Sequence, residues 1–306
     1  MKTAQKTGKI ILFRPLWARL RFQGLTKRPK GCIIEKGAGD YPLFGSRGQR
    51  PRKNRTLISE LCSRQIAAAI LAAIAADKEE KMFEQITKNV KKIKEEIAGG
   101  NPFGEKVYLV AATKTRTAEE INAAIAAGVD AVAENKAQEF RDKTDLLSPC
   151  PQHFIGHLQT NKVKYLVGKI DLFHSCDRDE LAQKIAELSL KRGVISDVLM
   201  QVNIGSEISK GGYELSEAKE SFLRLLGVAG LRVRGVMAML PESSDEEFLG
   251  KLADEMRALF EWCKTQSENI DYLSMGMSGD YALCISRGSN MIRVGSTIFG
   301  ARDYTL

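Results

Sequence analysis

The sequence is short of the residues that staple small domains or bind metals. Six cysteines (Cys32, Cys62, Cys150, Cys176, Cys263, Cys284) are scattered over 306 residues with no CxxC pair. That excludes a disulfide framework and a paired-cysteine zinc site, and it points to a reducing compartment, cytoplasmic by default. Only three histidines are present, His153, His157 and His174. His153 and His157, four apart on an expected strand, share a face, but no cysteine or histidine spacing accompanies them, so no metal is expected. They read as structural or pocket-wall residues, with His157 the one facing a pocket mouth. No apolar run reaches the length of a membrane span; the longest uncharged candidate, Gln65–Ala76, is short and mostly alanine, so no membrane partner is expected. No GxGxxG turn follows an early strand-like run, which counts against an open, doubly wound sheet.

What is present divides in two. The formal net charge is +8, but residues 1–81 hold 18 Lys and Arg against 6 Asp and Glu, while residues 82–306 hold 28 against 32. The basic excess belongs to a leader. Residues 1–55 carry four of the eight prolines and the basic run Arg47–Arg55 (RGQRPRKNR) without apolar periodicity, so this stretch reads as disordered. It could be a basic arm, a targeting peptide, or an upstream extension with Met82 as the working start. The last is favoured, because nothing in it looks like part of a fold. Ser59–Ala76 has good helix propensity but no obvious partner for an alanine face. The remaining residues, 82–306, form a mildly acidic unit with no reason to bind nucleic acid.

From Met82 the texture changes. Phe83, Ile86, Val90, Ile93 and Ile97 recur at helical spacing, which predicts one amphipathic helix stopped at Gly99-Gly100-Asn101-Pro102. Eight short apolar runs then alternate with seven helical stretches: 107–113, 130–134, 153–157, 171–176, 197–204, 231–240, 272–277 and 291–299. Gly128, Gly168, Gly193 and Gly288 close helices. Runs this short suit strands covered on both faces, and eight of them in this length predict a (β/α)8 barrel of the TIM type.

In such a barrel the chemistry sits at the C-terminal ends of the strands. Lys114 ends the first run, where an amine flanked by an apolar wall is suited to attack a carbonyl. Ser278 follows the seventh run just before a helix, and Gly295, Ser296 and Thr297 lie in the eighth. Two Gly/Ser nests on strands seven and eight together suit a phosphorylated ligand.

These residues sit in longer motifs: AATK (Ala111–Lys114), AENKAQE (Ala133–Glu139), HFIGHLQTNK (His153–Lys162), VNIGSEISKGG (Val202–Gly212), RGVMAM (Arg234–Met239), LSMGMSGD (Leu273–Asp280) and RVGSTIFGARDY (Arg293–Tyr304). Over residues 82–306 this order and spacing resemble the YggS/PROSC-type pyridoxal phosphate homeostasis proteins; residues 1–81 have no counterpart. The resemblance implies a fold-type III barrel like the N-terminal domain of alanine racemase, binding pyridoxal 5'-phosphate. It implies that Lys114 holds the cofactor as an internal aldimine and that Ser278, Gly295 and Ser296 bind its phosphate. Arg293 would sit by the pyridine nitrogen, where a permanent cation disfavours ring protonation. Asn135 would lie near the ring, and Met237 would line the barrel beneath it. Lys210 reads equally as a second nearby amine or as a surface lysine.

The chain departs from the family pattern at Ala133 and Lys136, where Gly and Tyr are usual, and at Gln152, where Trp is usual. The implied role is to store, shield or deliver the cofactor, with cofactor-dependent apo-enzymes as partners and a monomeric or weakly dimeric state. No strong enzymatic activity is implied. A racemase needs an acid–base group on each face of the bound substrate, so the alternative is a weak amino-acid racemase in which Lys210 or a histidine supplies the second base.

Overall fold

The computed structural model describes residues 53–205 and 211–301. Most of the basic leader, residues 1–52, lies outside them, as does Lys210. The chain divides into two units, Met1–Cys62 and Ser63–Leu306, and the architecture belongs to the second.

Among the described residues there are nine strands: β1 (Tyr108–Ala112), β2 (Ala131–Glu134), β3 (Gln152–Phe154), β4 (Leu172–Cys176), β5 (Ser196–Asn203), β6 (Tyr213–Glu214), β7 (Leu231–Ala238), β8 (Tyr272–Ser274) and β9 (Met291–Val294). They run in the order β4-β3-β2-β1-β9-β8-β7-β5-β6, and β4 also pairs with β5. Every pairing is parallel. The β4–β5 contact therefore closes eight strands into a ring, with β6 added outside on β5. This is the expected barrel. The two-residue β6 carries too little pattern to be read from sequence.

Two apolar layers result. Inside the ring, Val110, Ala131, Ala133, Leu172, Leu199, Met237 and Met291 meet from six strands. Outside it, the alternate strand residues pack against helices α2 (Ala118–Ala126), α3 (Ala137–Lys143), α4 (Asp179–Arg192), α5 (Ala218–Leu226) and α6 (Glu246–Gln266). Thr117 and Glu120 form a reciprocal capping box on α2, and Asp245 caps α6, which fixes where these helices leave the rim. Gly128, Gly168, Gly193 and Gly288 all have positive φ, as helix-closing glycines require. Gly235 is needed for a different reason. A Cβ there would lie 1.9 Å from the Tyr272 carbonyl oxygen, so only glycine lets β7 approach β8.

Three elements depart from the sequence reading. The run 291–299 is not one strand: it breaks at Gly295, and Ser296–Phe299 forms a short helix, α8. The run 272–277 stops at Ser274 because Gly276 turns at φ 105. Third, the first helix does not begin at Met82. Helix α1 runs unbroken from Lys53 to Glu96.

Packing on α1 nevertheless starts where the periodicity starts. Residues 71–81 are all exposed, Leu71 and Ile74 included, whereas Ile86, Val90, Ile93 and Ile97 are buried. That buried half is also tied down by polar contacts. Asn89 Nδ2 donates to the Ile298 carbonyl at 2.9 Å and Lys94 pairs with Asp130 at 2.8 Å. Ile93→Ala should accordingly cost about 2–5 kcal/mol in urea unfolding, and Ile74→Ala less than about 0.5 kcal/mol.

Candidate functional site

The C-terminal ends of β1, β2, β7, β8 and β9 bring the expected residues to one rim. Lys114 lies in the turn just after β1. Pairing of β1 with β9 sets Val110 beside Arg293 and Ala111 beside Val294, so the Lys114 turn and Gly295 leave the barrel side by side. Ser278 follows β8 and turns toward the same place. Its Oγ accepts from the Gly295 N–H at 3.2 Å and the Thr297 N–H at 3.4 Å. Two backbone donors thus converge at the start of α8, with the exposed Ser296 between them. The helix boundary at Gly295 is what aims these amides, and it replaces the strand expected there.

Gly295 has an ordinary negative φ of −120°, and a Cβ on it would make only van der Waals contact, 3.4 Å from the Ala112 oxygen. The protein's own packing does not demand glycine at this position. A bare backbone here leaves room beside the converging amides.

Arg293 is 4 % exposed and points into the barrel. Its Nη1 donates to the Ser274 carbonyl at 2.9 Å and to Ser274 Oγ at 2.6 Å, and its Nη2 donates to the Ala238 carbonyl at 2.9 Å. All three acceptors are neutral. Burial pulls the guanidinium down to about 10, which still leaves it charged at neutral pH. A buried cation held only by neutral acceptors costs several kcal/mol and marks a place where an anion or a ring acceptor is expected. Met237 is fully buried in the interior layer on β7, which β8 separates from β9.

Asn135 sits immediately after β2, and its Oδ1 is buried without a hydrogen-bond partner. The backbone there is crowded. A Cβ on Gly156 would lie 2.0 Å from the Asn135 carbonyl oxygen, so the segment after β3 presses against Asn135 and fixes it.

The sequence reading missed the device that holds the Lys114 turn. Thr113 Oγ donates to the Ala133 carbonyl at 3.0 Å and to Glu134 Oε1 at 2.8 Å. On the other side of Lys114, the Thr115 N–H donates to Glu139 Oε2 at 2.8 Å. Lys143 bridges the two carboxylates at 3.0 and 3.1 Å. Burial raises the Glu134 pKa despite Lys143 and Thr113. For Glu139 burial acts the same way, but the Thr115 N–H and Lys143 outweigh it and hold the carboxyl below its usual range. Thr115 has φ 65° and is the sole described non-glycine residue in the left-handed region. Such strain persists only where its surroundings over-determine it. Glu134 and Glu139 lie in a quoted motif, but nothing in one sequence shows that they face the turn before Lys114.

The histidines separate. His153 and His157 do not share a strand face, because β3 ends at Phe154. His157 lies beyond it at the rim, largely exposed, with Nδ1 2.9 Å from the buried Asp177 carboxylate. His153 and His174 are buried inside the barrel. Burial pushes His153 down to about 4, and burial with the charges of His153 and Arg293 drives His174 well below its usual value.

Comparison with known proteins places this rim in context. The family described as "Alanine racemase, N-terminal domain" matches residues 83–303. The Aquifex aeolicus (strain VF5) protein named "Pyridoxal phosphate homeostasis protein" is 38% identical over 199 residues, covering 64% of this chain and 87% of that protein. The Escherichia coli (strain K12) protein of the same name is 37% identical over 206 residues, covering 66% and 88%. The structure of PipY from Synechococcus elongatus PCC7942, solved with PLP bound, superposes with a TM-score of 0.61 at 26% identity, covering 70% of this chain and all of that one.

The buried imidazoles set a pH dependence. Their folded pKa values lie below the unfolded value near 6.5, so the unfolded chain binds more protons between the two, and stability rises with pH there. Stability should be fully present above about pH 6.5 and fall as the pH drops toward 4, by roughly 3 kcal/mol for His153 alone. Chemical denaturation across this range should show the slope, and His153→Gln should flatten it.

Proposed function

The chain belongs to the family of alanine racemase N-terminal domains and, within it, to the pyridoxal phosphate homeostasis proteins; from that premise we propose that the rim just described is its cofactor site. The protein binds pyridoxal 5'-phosphate and acts in homeostasis of this cofactor, as a holder and not as a racemase. When bound, the cofactor supplies an aldehyde that condenses reversibly with amines, a dianionic phosphate and a pyridine ring.

The residues present fit that group. Ser278 Oγ, the Gly295 and Thr297 N–H groups and Ser296 form a donor set at a helix start, suited to the phosphate. The space a Cβ on Gly295 would fill admits it. Arg293 places a permanent cation toward the pyridine nitrogen and so keeps a proton off it. Asn135 Oδ1 is an acceptor awaiting a donor at the ring's edge, and Met237 supplies an apolar floor. Lys114 presents the amine to the aldehyde. The Glu134–Lys143–Glu139 clamp holds its backbone on both sides, which limits how far that amine can stray. The observation that carries the reading is Arg293, a buried guanidinium with neutral hydrogen-bond acceptors only, set two residues before the first of the converging phosphate donors.

Within the same reading, the function resides in residues 82–306, the state is a monomer or weak dimer in the cytoplasm, and stored cofactor passes to dependent apo-enzymes.

The purified protein should carry the absorption band of lysine-bound cofactor, and Lys114→Ala should abolish it. A colourless wild type that takes up no added pyridoxal phosphate would overturn the reading. Amino-acid racemase assays should stay at background for both proteins.

A further inference from the structure

The barrel interior holds a polar chain that the binding of the cofactor does not by itself require. Arg293 Nη1 donates to Ser274 Oγ at 2.6 Å. Ser274 Oγ lies 3.0 Å from His174 Nδ1, and His174 Nε2 lies 3.0 Å from His153 Nδ1. The chain crosses from β9 through β8 to β4 and β3. Arg293, Ser274, His174 and His153 are all buried, with His174 and Ser274 wholly so.

The direction of the chain follows from one fact: a guanidinium only donates. Ser274 Oγ accepts from Arg293, so its own proton is best used toward His174 Nδ1. His174 Nδ1 is then bare and its proton sits on Nε2, donating to His153 Nδ1. The proton of His153 must in turn be on Nε2. Run the other way, His174 would donate to Ser274, and the serine proton would be buried without an acceptor, which is unfavourable. Charging either imidazole would add a second cation to a water-poor interior that already holds Arg293. Both rings are therefore neutral, in one defined tautomer each.

We propose that Ser274, His174 and His153 are positioning residues: a one-way hydrogen-bond chain that orients Arg293 toward the cofactor ring without supplying a countercharge. A carboxylate in place of Ser274 would orient the guanidinium equally well but would cancel its charge. Neutral, polarisable partners fix its plane and leave the full positive charge for the pyridine nitrogen. The ring-facing part of this inference rests on the cofactor reading above; the direction of the chain does not.

Two measurements test it. In the full-length protein freed of cofactor, nitrogen-15 NMR of the imidazoles should show Nε2–H and bare Nδ1 for both His153 and His174 at neutral pH. Pyridoxal phosphate titrations then follow affinity and band position. Ser274→Ala keeps the backbone acceptor for Arg293 and removes only the hydroxyl. It should weaken binding about ten-fold, the loss of one charge-assisted hydrogen bond, and displace the absorption band. His174→Asn should do the same, and Ser274→Thr, which retains the hydroxyl, should restore both. Circular dichroism confirms that each variant is folded. A proton on Nδ1 of either ring overturns the proposal, as does folded Ser274→Ala with wild-type affinity and spectrum. If the wild type binds no cofactor, the reading of the site fails, and the NMR result alone decides the chain.

Discussion

The pairing of β4 with β5 is the contact on which everything else depends. Without it the eight parallel strands form an open sheet with β4 and β5 at distant positions. With it, all eight C-terminal ends converge on one rim, and residues far apart in sequence face each other across a narrow interior. His174 and Ser274 are 100 residues apart, yet they share a hydrogen bond because the ring is closed. The pairing is irregular, with a register shift between Phe173 and Cys176, so closure tolerates a local fault as long as the flanking residues still pair. The energy comes from the apolar layers on either side of the sheet, since parallel strands covered on both faces bury nearly every side chain.

Closure also sets the terms for polar groups inside. An interior that excludes water makes each buried donor and acceptor expensive unless matched, and the barrel meets this in two ways. Around the Lys114 turn it uses full charges: a lysine between two glutamates, each carboxylate also holding a backbone or hydroxyl donor of the turn. Around Arg293 the hydrogen-bond acceptors are all neutral, and the opposite charge felt there is that of the more distant Asp280 carboxylate. The first arrangement immobilises and is self-contained; the second immobilises and leaves charge unspent. The contrast assigns different work to the two sides of one rim. In the proposed function, one side restrains the Lys114 amine and the other presents an electrostatic field.

Much of this was legible in the residues. The alternation of eight apolar runs with helical stretches carried the architecture, and the four helix-closing glycines marked the correct turns. Lys114, Ser278 and Gly295 could be placed at strand ends from the order of the runs, because strand ends are where a barrel displays chemistry, whereas a role for Arg293 came only from the family resemblance. The misreadings have local causes. Ile298 and Phe299 are apolar and follow a strand, so the α8 turn looked like its continuation, although Gly295 was the break. His153 and His157 were grouped by spacing, but a three-residue strand is too short for period-two reasoning to span them. Glu134, Glu139, Lys143, Ser274 and His174 stayed unassigned for a different reason. Their roles depend on which neighbours the closed ring brings near, and no periodicity encodes that.

Helix α1 packs into the core at Ile86, Val90 and Ile93, and Ile97 just beyond it is buried as well. Along residues 71–81 the backbone is helical while the side chains are exposed. The two halves therefore belong to different cooperative units. Along residues 71–81 the helix gains nothing from burial, and an alanine-rich helix without burial is marginal in water. The stretch from Ile86 onward is held by the core it packs in. A single secondary-structure element thus joins an exposed stretch to a packed one, with the step at about the residue where its apolar stripe begins.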